Sequence, residues 1–257
     1  LSNKYNKCHP FIERIGEESI NYQGVIMKII DYTNAHHVLI EFQNKYKNTS
    51  IVKYQHFKRG KIKDSFYPNV LNVGFIGNTK SCKNGIEKYS YNSWINMLTR
   101  CYSHKERYKA YFDCHVCDEW LCYENFEKWF DENCWLNNLR LDKDILVKGN
   151  KVYSPETCVL VTNEINVLFC KANSIRGNLP IGVRWDKERN KYVSQCYIKG
   201  KGKNLGYYKN STDAFNKYKE IKEQNIKNIA DEYKQKYPNF PDKLYNAMYN
   251  YKVEIID

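Results

Sequence analysis

The stretch LDKDILVKGNKVYSPETCVLVTNEIN runs from Leu141 to Asn166. Asp142 and Asp144 flank Lys143, and an amide, Asn166, closes the stretch. A carboxylate and an amide oxygen are hard ligands of the kind Mg²⁺ accepts when waters and a phosphate complete its shell. A cation held there stabilises charge on a scissile phosphate and on the departing oxygen. The plainer reading makes Asp142, Lys143 and Asp144 an exposed strand face whose local ion pairs contribute little. The elements that must position these groups are legible. LDKDILV reads as a strand and KGNK as a turn. CVLV reads as the return strand, and TNEINVLF as a helix starting at Thr162. Strand, loop, strand and helix is the order that wedges a cation between a hairpin and a helix.

The stretch resembles the ββα-metal motif of HNH endonucleases, above all the phage-encoded homing-endonuclease-like proteins. SWINMLTRCY and CHVCDEWLCYENFEKW are similar to the region that precedes the motif there, and YSPETC to the loop after its first strand. The resemblance spans roughly residues 90–170. It implies a metal-dependent DNA endonuclease with Asp142 as the strand ligand and Asn166 as the helix residue, using Mg²⁺ or another divalent cation. The family's general-base histidine is replaced by Lys143, which is protonated at neutral pH unless its pKa is strongly lowered. All six histidines lie upstream, the nearest being His104 and His115. One of these or Tyr153 is then a candidate base or nucleophile, with Lys143 holding the phosphate. The other outcome is a dead site that keeps only DNA binding.

Cys114 and Cys117 form a C-x-x-C pair, with Cys101 upstream and Cys158 on the return strand. Four thiolates of this kind can bind structural Zn²⁺ tetrahedrally. Buried thiols without metal are the competing reading, and Cys122, Cys134 and Cys170 are rival ligands.

Further on, IGVRW, KYVSQCYIKG and KNLGYY read as three short strands. The run STDAFNKYKEIKEQNIKNIADEYKQKY reads as a helix capped by Ser211 or Thr212. GVR, KYVSQCYI, LGYY and STDAFNKY resemble the APETALA/ethylene-response-factor DNA-binding domain, which lays a three-stranded sheet in the major groove. The resemblance implies double-stranded DNA as partner and Arg184, Gln195, Tyr197 and Asn204 as DNA-facing positions, with Lys199 close by. Several arginines of the plant domains are absent, which argues against direct reading of guanines. A packing module and an RNA binder are the rivals.

The charge follows the same plan. The net charge of +12 is distributed as +6 over residues 1–80, −2 over 81–170 and +8 over 171–257. Basic arms hold phosphates, and a slightly acidic centre suits a cation. GVIMKIIDYT, HHVLIEFQN and TSIVKYQHFKRGKIKD read as strands of a small SH3-like β-barrel. Lys53, Lys58, Arg59, Lys61 and Lys63 near its end are either a solvated edge or a phosphate contact. Trp94, Met97, Leu98 and Cys101 recur at helical spacing, as do Trp120, Phe126, Trp129 and Phe130. They read as core rather than as base-stacking platforms.

The expected fold is α+β, with a small β-barrel over 1–68 and a linker over 69–88. An HNH-like core follows over 89–170, and a DNA-binding three-stranded sheet plus helix with a tail over 171–257. No apolar run reaches the length of a membrane span, and the start LSNKYNKCHPF lacks a secretory signal pattern. The expectation is therefore a cytoplasmic protein of a bacterial or phage-infected cell, with a homing or mobile-element role. The rivals are a restriction endonuclease on the same core and a catalytically inactive, zinc-stabilised DNA-binding regulator. The oligomeric state is left open.

Overall fold

The computed structural model describes residues 12–170 and 178–255. The starts of two expected segments, 1–11 and 171–177, and the last two residues of the tail lie outside the described residues. The fold is mixed α+β with several small sheets. Contacts group the chain into two units, Leu1–Ser103 with Asp118–Glu127, and His104–Cys117 with Lys128–Asp257. These boundaries differ from the three expected segments.

In the first unit, β1 (Glu18–Ile20), β2 (Ile26–Asn34), β3 (His37–Phe42) and β4 (Thr49–Val52) form an antiparallel meander in chain order. Apolar residues alternate along β2 and β3, so Met27, Ile29, Val38, Ile40 and Phe42 share the buried face. The expected barrel is not closed: β1 and β4 remain the two edges of an open sheet. The short helix α1 (Tyr54–Lys58) and its exit occupy the side of β1 that a closing ladder would need. Phe57 O accepts from Ser19 Oγ (2.9 Å), Gly60 O accepts from Tyr22 N–H (3.0 Å), and Lys58 pairs with Glu17 (2.7 Å). Lys53, Lys58, Arg59, Lys61 and Lys63 are all exposed.

Residues 69–88, expected as a linker, carry structure of their own. Phe75 is buried and its N–H donates to Leu121 O, and β5 (Cys82–Lys83) pairs with β6 (Ile86–Glu87). Helix α2 (Tyr89–Tyr102) buries Trp94, Met97, Leu98 and Cys101, the face its spacing marks. Trp120 and Phe126 are fully buried too, and Trp94 Nε1 donates to Trp120 O. Helix α3 (Tyr123–Asn133) starts in this unit and ends in the other.

The second unit contains the hairpin. β8 (Arg140–Asp142) pairs antiparallel with β10 (Val159–Val161), Asp142 facing Val159. In the connection between them, β9 (Val152–Tyr153) pairs parallel with β7 (His115–Val116). The first strand is shorter than expected, ending at Asp142 instead of running on to Val147. Its own carboxylate ends it: Asp142 Oδ1 accepts the N–H groups of Asp144 and Ile145, both at 2.8 Å, and turns the chain. Helix α4 (Asn163–Leu168) follows β10 and packs against β8. Thr162 caps it, accepting from Ile165 N–H at 3.3 Å.

β11 (Val183–Asp186), β12 (Lys191–Ile198) and β13 (Lys201–Tyr208) form an antiparallel sheet in chain order, backed by α5 (Ser211–Lys236). The cap of α5 is Asn210, one residue before the expected Ser211 or Thr212; its Oδ1 accepts from Asp213 N–H at 2.8 Å. Gly182 sits at φ +76°, where an added Cβ would overlap the Tyr218 ring, so the sheet reaches α5 only with glycine there. Helix α5 serves two cores. Its first half places Ala214, Phe215 and Tyr218 against the sheet with Val183 and Cys196. Its second half places Ile226, Ile229 and Ala230 against the hairpin residues Val159 and Val161 and against Ile165. The C-terminal stretch contributes α6 (Asp242–Tyr249), whose Leu244 and Met248 complete that second core. Among the described residues no helix is long and apolar enough to cross a membrane.

Candidate functional site

Asp142 closes β8 and is partly buried. Burial pushes its carboxyl up from the ordinary value, and the two turn N–H groups pull the other way. Those bonds engage Oδ1. An ionised carboxylate has further acceptor capacity on Oδ2. Asn166 lies on α4, the helix that packs against β8, and its side chain is half-buried. One hairpin-and-helix element thus carries both residues. A carboxylate joined by an amide is a donor set that fits a Mg²⁺-like ion completed by water and phosphate.

Lys143 is buried, its side chain only 6% exposed. Its ammonium donates to both oxygens of Asp144 (2.9 Å each) and to Asn150 O (2.7 Å). It also lies 5.8 Å from the centroid of the Tyr111 ring and 5.9 Å from that of Tyr153. All three hydrogen bonds are donations, and together they fasten the loop. Asn150 completes the fastening, with Nδ2 donating to Lys143 O and Val152 O.

Tyr153 is buried on β9 opposite Val116, whereas His115, one residue earlier on β7, is exposed opposite Val152. Strand alternation puts the Tyr153 ring and the His115 imidazole on opposite faces of that short ladder. The fold therefore brings a histidine far upstream in sequence beside the hairpin connection. Its segment is tied there by Lys151 to Asp113 (3.0 Å) and by His115 N–H to Lys151 O (2.9 Å). His104 sits in the same unit, 6.0 Å ring to ring from Phe112.

The four cysteines of the zinc expectation divide between the units: Cys101 belongs to the first, and Cys114, Cys117 and Cys158 to the second. Among the described residues, no three His, Cys, Asp or Glu side chains are gathered as a metal site. Burial pushes the Cys158 thiol up to about 12, with Asp142 and Cys117 adding to the effect. Burial also raises Cys114, against the pull of Lys143 and Lys151.

On the three-stranded sheet, Arg184, Gln195, Tyr197 and Asn204 are exposed on the face away from α5. Arg184 Nε donates to Gln195 Oε1 (3.3 Å), and Gln195 faces Asn204 across the ladder. Tyr197 is 70% exposed, a large open area for an aromatic side chain. Leu205 is an extra residue in β13 between the Asn204 and Gly206 pairings, and Gly206 at φ +130° accommodates this bulge. The bulge brings Tyr207 onto the open face, where the Arg189 guanidinium lies 4.9 Å from its ring centroid. Lys199 is in the β12–β13 turn and pairs with Glu232 (3.0 Å).

Three contributors were missed in the sequence. Lys148 and Lys151 flank Gly149 and Asn150 in the run KGNK, which reads there only as a turn; its paired lysines were the available signal. Tyr233 reads as one residue of an apolar stripe, yet its hydroxyl bonds both Thr162 (3.1 Å) and Glu164 (2.7 Å) at the start of α4. Nothing in the sequence marks that contact.

Compared with family models, curated proteins and solved structures, the chain matches none.

Proposed function

We propose that this chain is a metal-dependent DNA endonuclease of HNH type, with a homing or mobile-element role in the cytoplasm of a bacterial or phage-infected cell. The hairpin β8–β10 and helix α4 form its ββα element, and the three-stranded sheet is its APETALA-like DNA-binding face. The observation that carries the reading is the antiparallel β8–β10 ladder with α4 against β8 and a burial-shifted carboxylate, Asp142, where β8 ends.

Asp142 and Asn166 hold the divalent cation, which when bound neutralises charge on the scissile phosphate. Lys143 keeps the loop in place through Asp144 and Asn150, and its charge favours a phosphodiester nearby. With that amine engaged as a donor and Tyr153 buried, His115 is the exposed candidate for accepting a proton from water. Arg184, Gln195, Tyr197, Asn204 and Lys199 present hydrogen-bonding and cationic groups to a groove.

The test is purified protein, supercoiled plasmid and Mg²⁺. Loss of supercoiled DNA that Asp142→Ala abolishes and His115→Ala slows supports the reading, and nicks or double cuts then define the enzyme type. A second reading is a non-catalytic DNA-binding regulator, favoured by the engagement of Lys143 where the family has its histidine. Shifted but uncut DNA under all metal conditions overturns the enzyme in its favour. Metal analysis of the same sample tests for zinc.

A further inference from the structure

A cleft of about 260 Å³ opens beside the Lys143–Asp144 pair in the second unit. Its wall combines three lysines, Lys143, Lys148 and Lys151, with three rings, Tyr111, Phe169 and Tyr251. Asp144 is its one acidic group, and Lys143 already neutralises it. Lys148 and Lys151 are different. Their carboxylate partners, Glu254 and Asp113, are 53% and 64% exposed, and the lysines are 31% and 48% exposed. Ion pairs that open to water contribute little, so the Lys151 ammonium can turn to a stronger anion at small cost, whereas Lys148 also donates to Lys252 O (3.3 Å) and already stands at the cleft wall. Phe169 and Tyr251 meet edge to face at 4.8 Å, and Lys148 lies 5.4 Å from the Tyr251 centroid. Lys148 therefore stands against the aromatic part of the wall.

Cation and ring together are the combination that holds a phosphate and the base attached to it, because stacking tolerates any base and the lysine takes the charge. The volume lies just below the roughly 300 Å³ at which pockets for drug-sized ligands begin. That size is closer to one nucleotide than to a base pair. We propose that this cleft seats a single unpaired nucleotide of a DNA strand. Its phosphate rests on Lys148 and Lys151, and its base or sugar rests against Phe169, Tyr251 and Tyr111. The placement of a DNA strand here rests on the nuclease reading; the binding itself needs no cleavage.

The test is binding by the full chain with EDTA present, so that no cutting occurs. Fluorescence anisotropy follows a short single-stranded oligonucleotide across a salt series. Lys148→Gln with Lys151→Gln keeps much of the side-chain stems and removes both charges. The expected result is about tenfold weaker binding and a log–log salt slope shallower by about 0.7 for the one phosphate lost. Unchanged affinity and slope overturn the proposal. NMR supplies the second arm, with thymidine 5′-monophosphate against inorganic phosphate. Ring resonances of Phe169 and Tyr251 are expected to move with the nucleotide and stay with phosphate alone; identical responses overturn the aromatic half of the site. A chain that never cuts plasmid but passes both arms keeps this site and loses the nuclease. A chain that cuts, with a double variant that binds and cuts like the parent, loses this site alone.

Discussion

The structural role of Asp142 pulls against the cation-binding role proposed for it. Its Oδ1 caps the turn at Asp144 and Ile145, a place that the carbonyl oxygen of a neutral acid or an amide also fills, though more weakly than a carboxylate. Cation binding needs the charged form, which burial disfavours. A carboxyl raised in the folded protein binds its proton more tightly there than in the unfolded chain. The stability it contributes is complete below the unfolded value and is lost as pH rises through the folded one. Asp142→Asn keeps the cap and cannot ionise. Thermal melts should show a variant as stable as the parent or more so at neutral pH, with a smaller gap or none in acid. Plasmid cutting by the same variant should fall by about 100-fold or more. A variant that melts far below the parent at neutral pH would make the carboxylate structural. Mg²⁺ affinity of the parent should climb with pH through the range just above the usual carboxylate value, since binding displaces a proton.

At the scale of elements, α4 has only six residues and is held from outside. Tyr233, on α5, donates its single hydroxyl proton to Glu164, so the Thr162 hydroxyl must donate to Tyr233 while it accepts from Ile165 N–H. Burial, with Glu164 beside it, pushes the Tyr233 hydroxyl up to about 12, so it stays a donor at working pH. Tyr233→Phe should cost about 1 kcal/mol in urea denaturation, as should Thr162→Ala. Because the two share one proton chain, the double variant should cost less than the sum, by about 0.5 kcal/mol or more. Additive losses would mean that the chain does not act as a unit. The hairpin and its helix were legible in the sequence because strand, turn and Thr cap are local signals. The length of β8 was not, since Asp142 ends the strand through its own side chain and a run such as LDKDILV hides that. The N-terminal barrel misled for a related reason. Alternation fixes which face of β2 and β3 is buried, but whether β1 meets β4 depends on where α1 lies, a non-local matter.

The whole second unit turns on α5. At 26 residues it is about 39 Å long, enough to back the sheet with one half and the hairpin with the other. A single apolar stripe, as the sequence shows it, does not reveal that the stripe changes partners between Tyr218 and Ile226. Nor does it place the tail, which returns as α6 to cover Ile226, Ile229 and Ala230. A continuous helix shared by two cores makes them cooperative, because neither can lose its packing without freeing half of the rod that supports the other. Phe215→Ala strikes the sheet core and Ile226→Ala the hairpin core, each by about 2–5 kcal/mol. In native-state hydrogen exchange, either variant should speed the most protected amides of β12 and of β10 by similar factors. If Phe215→Ala exposes β12 alone while β10 keeps its protection, the two cores open independently. The sheet proposed to face DNA and the hairpin proposed to cut it would then be joined by a tether rather than set at a fixed spacing. In that case the distance between the bound site and the cut would vary from one molecule to the next, and mapped cleavage would scatter over several phosphates.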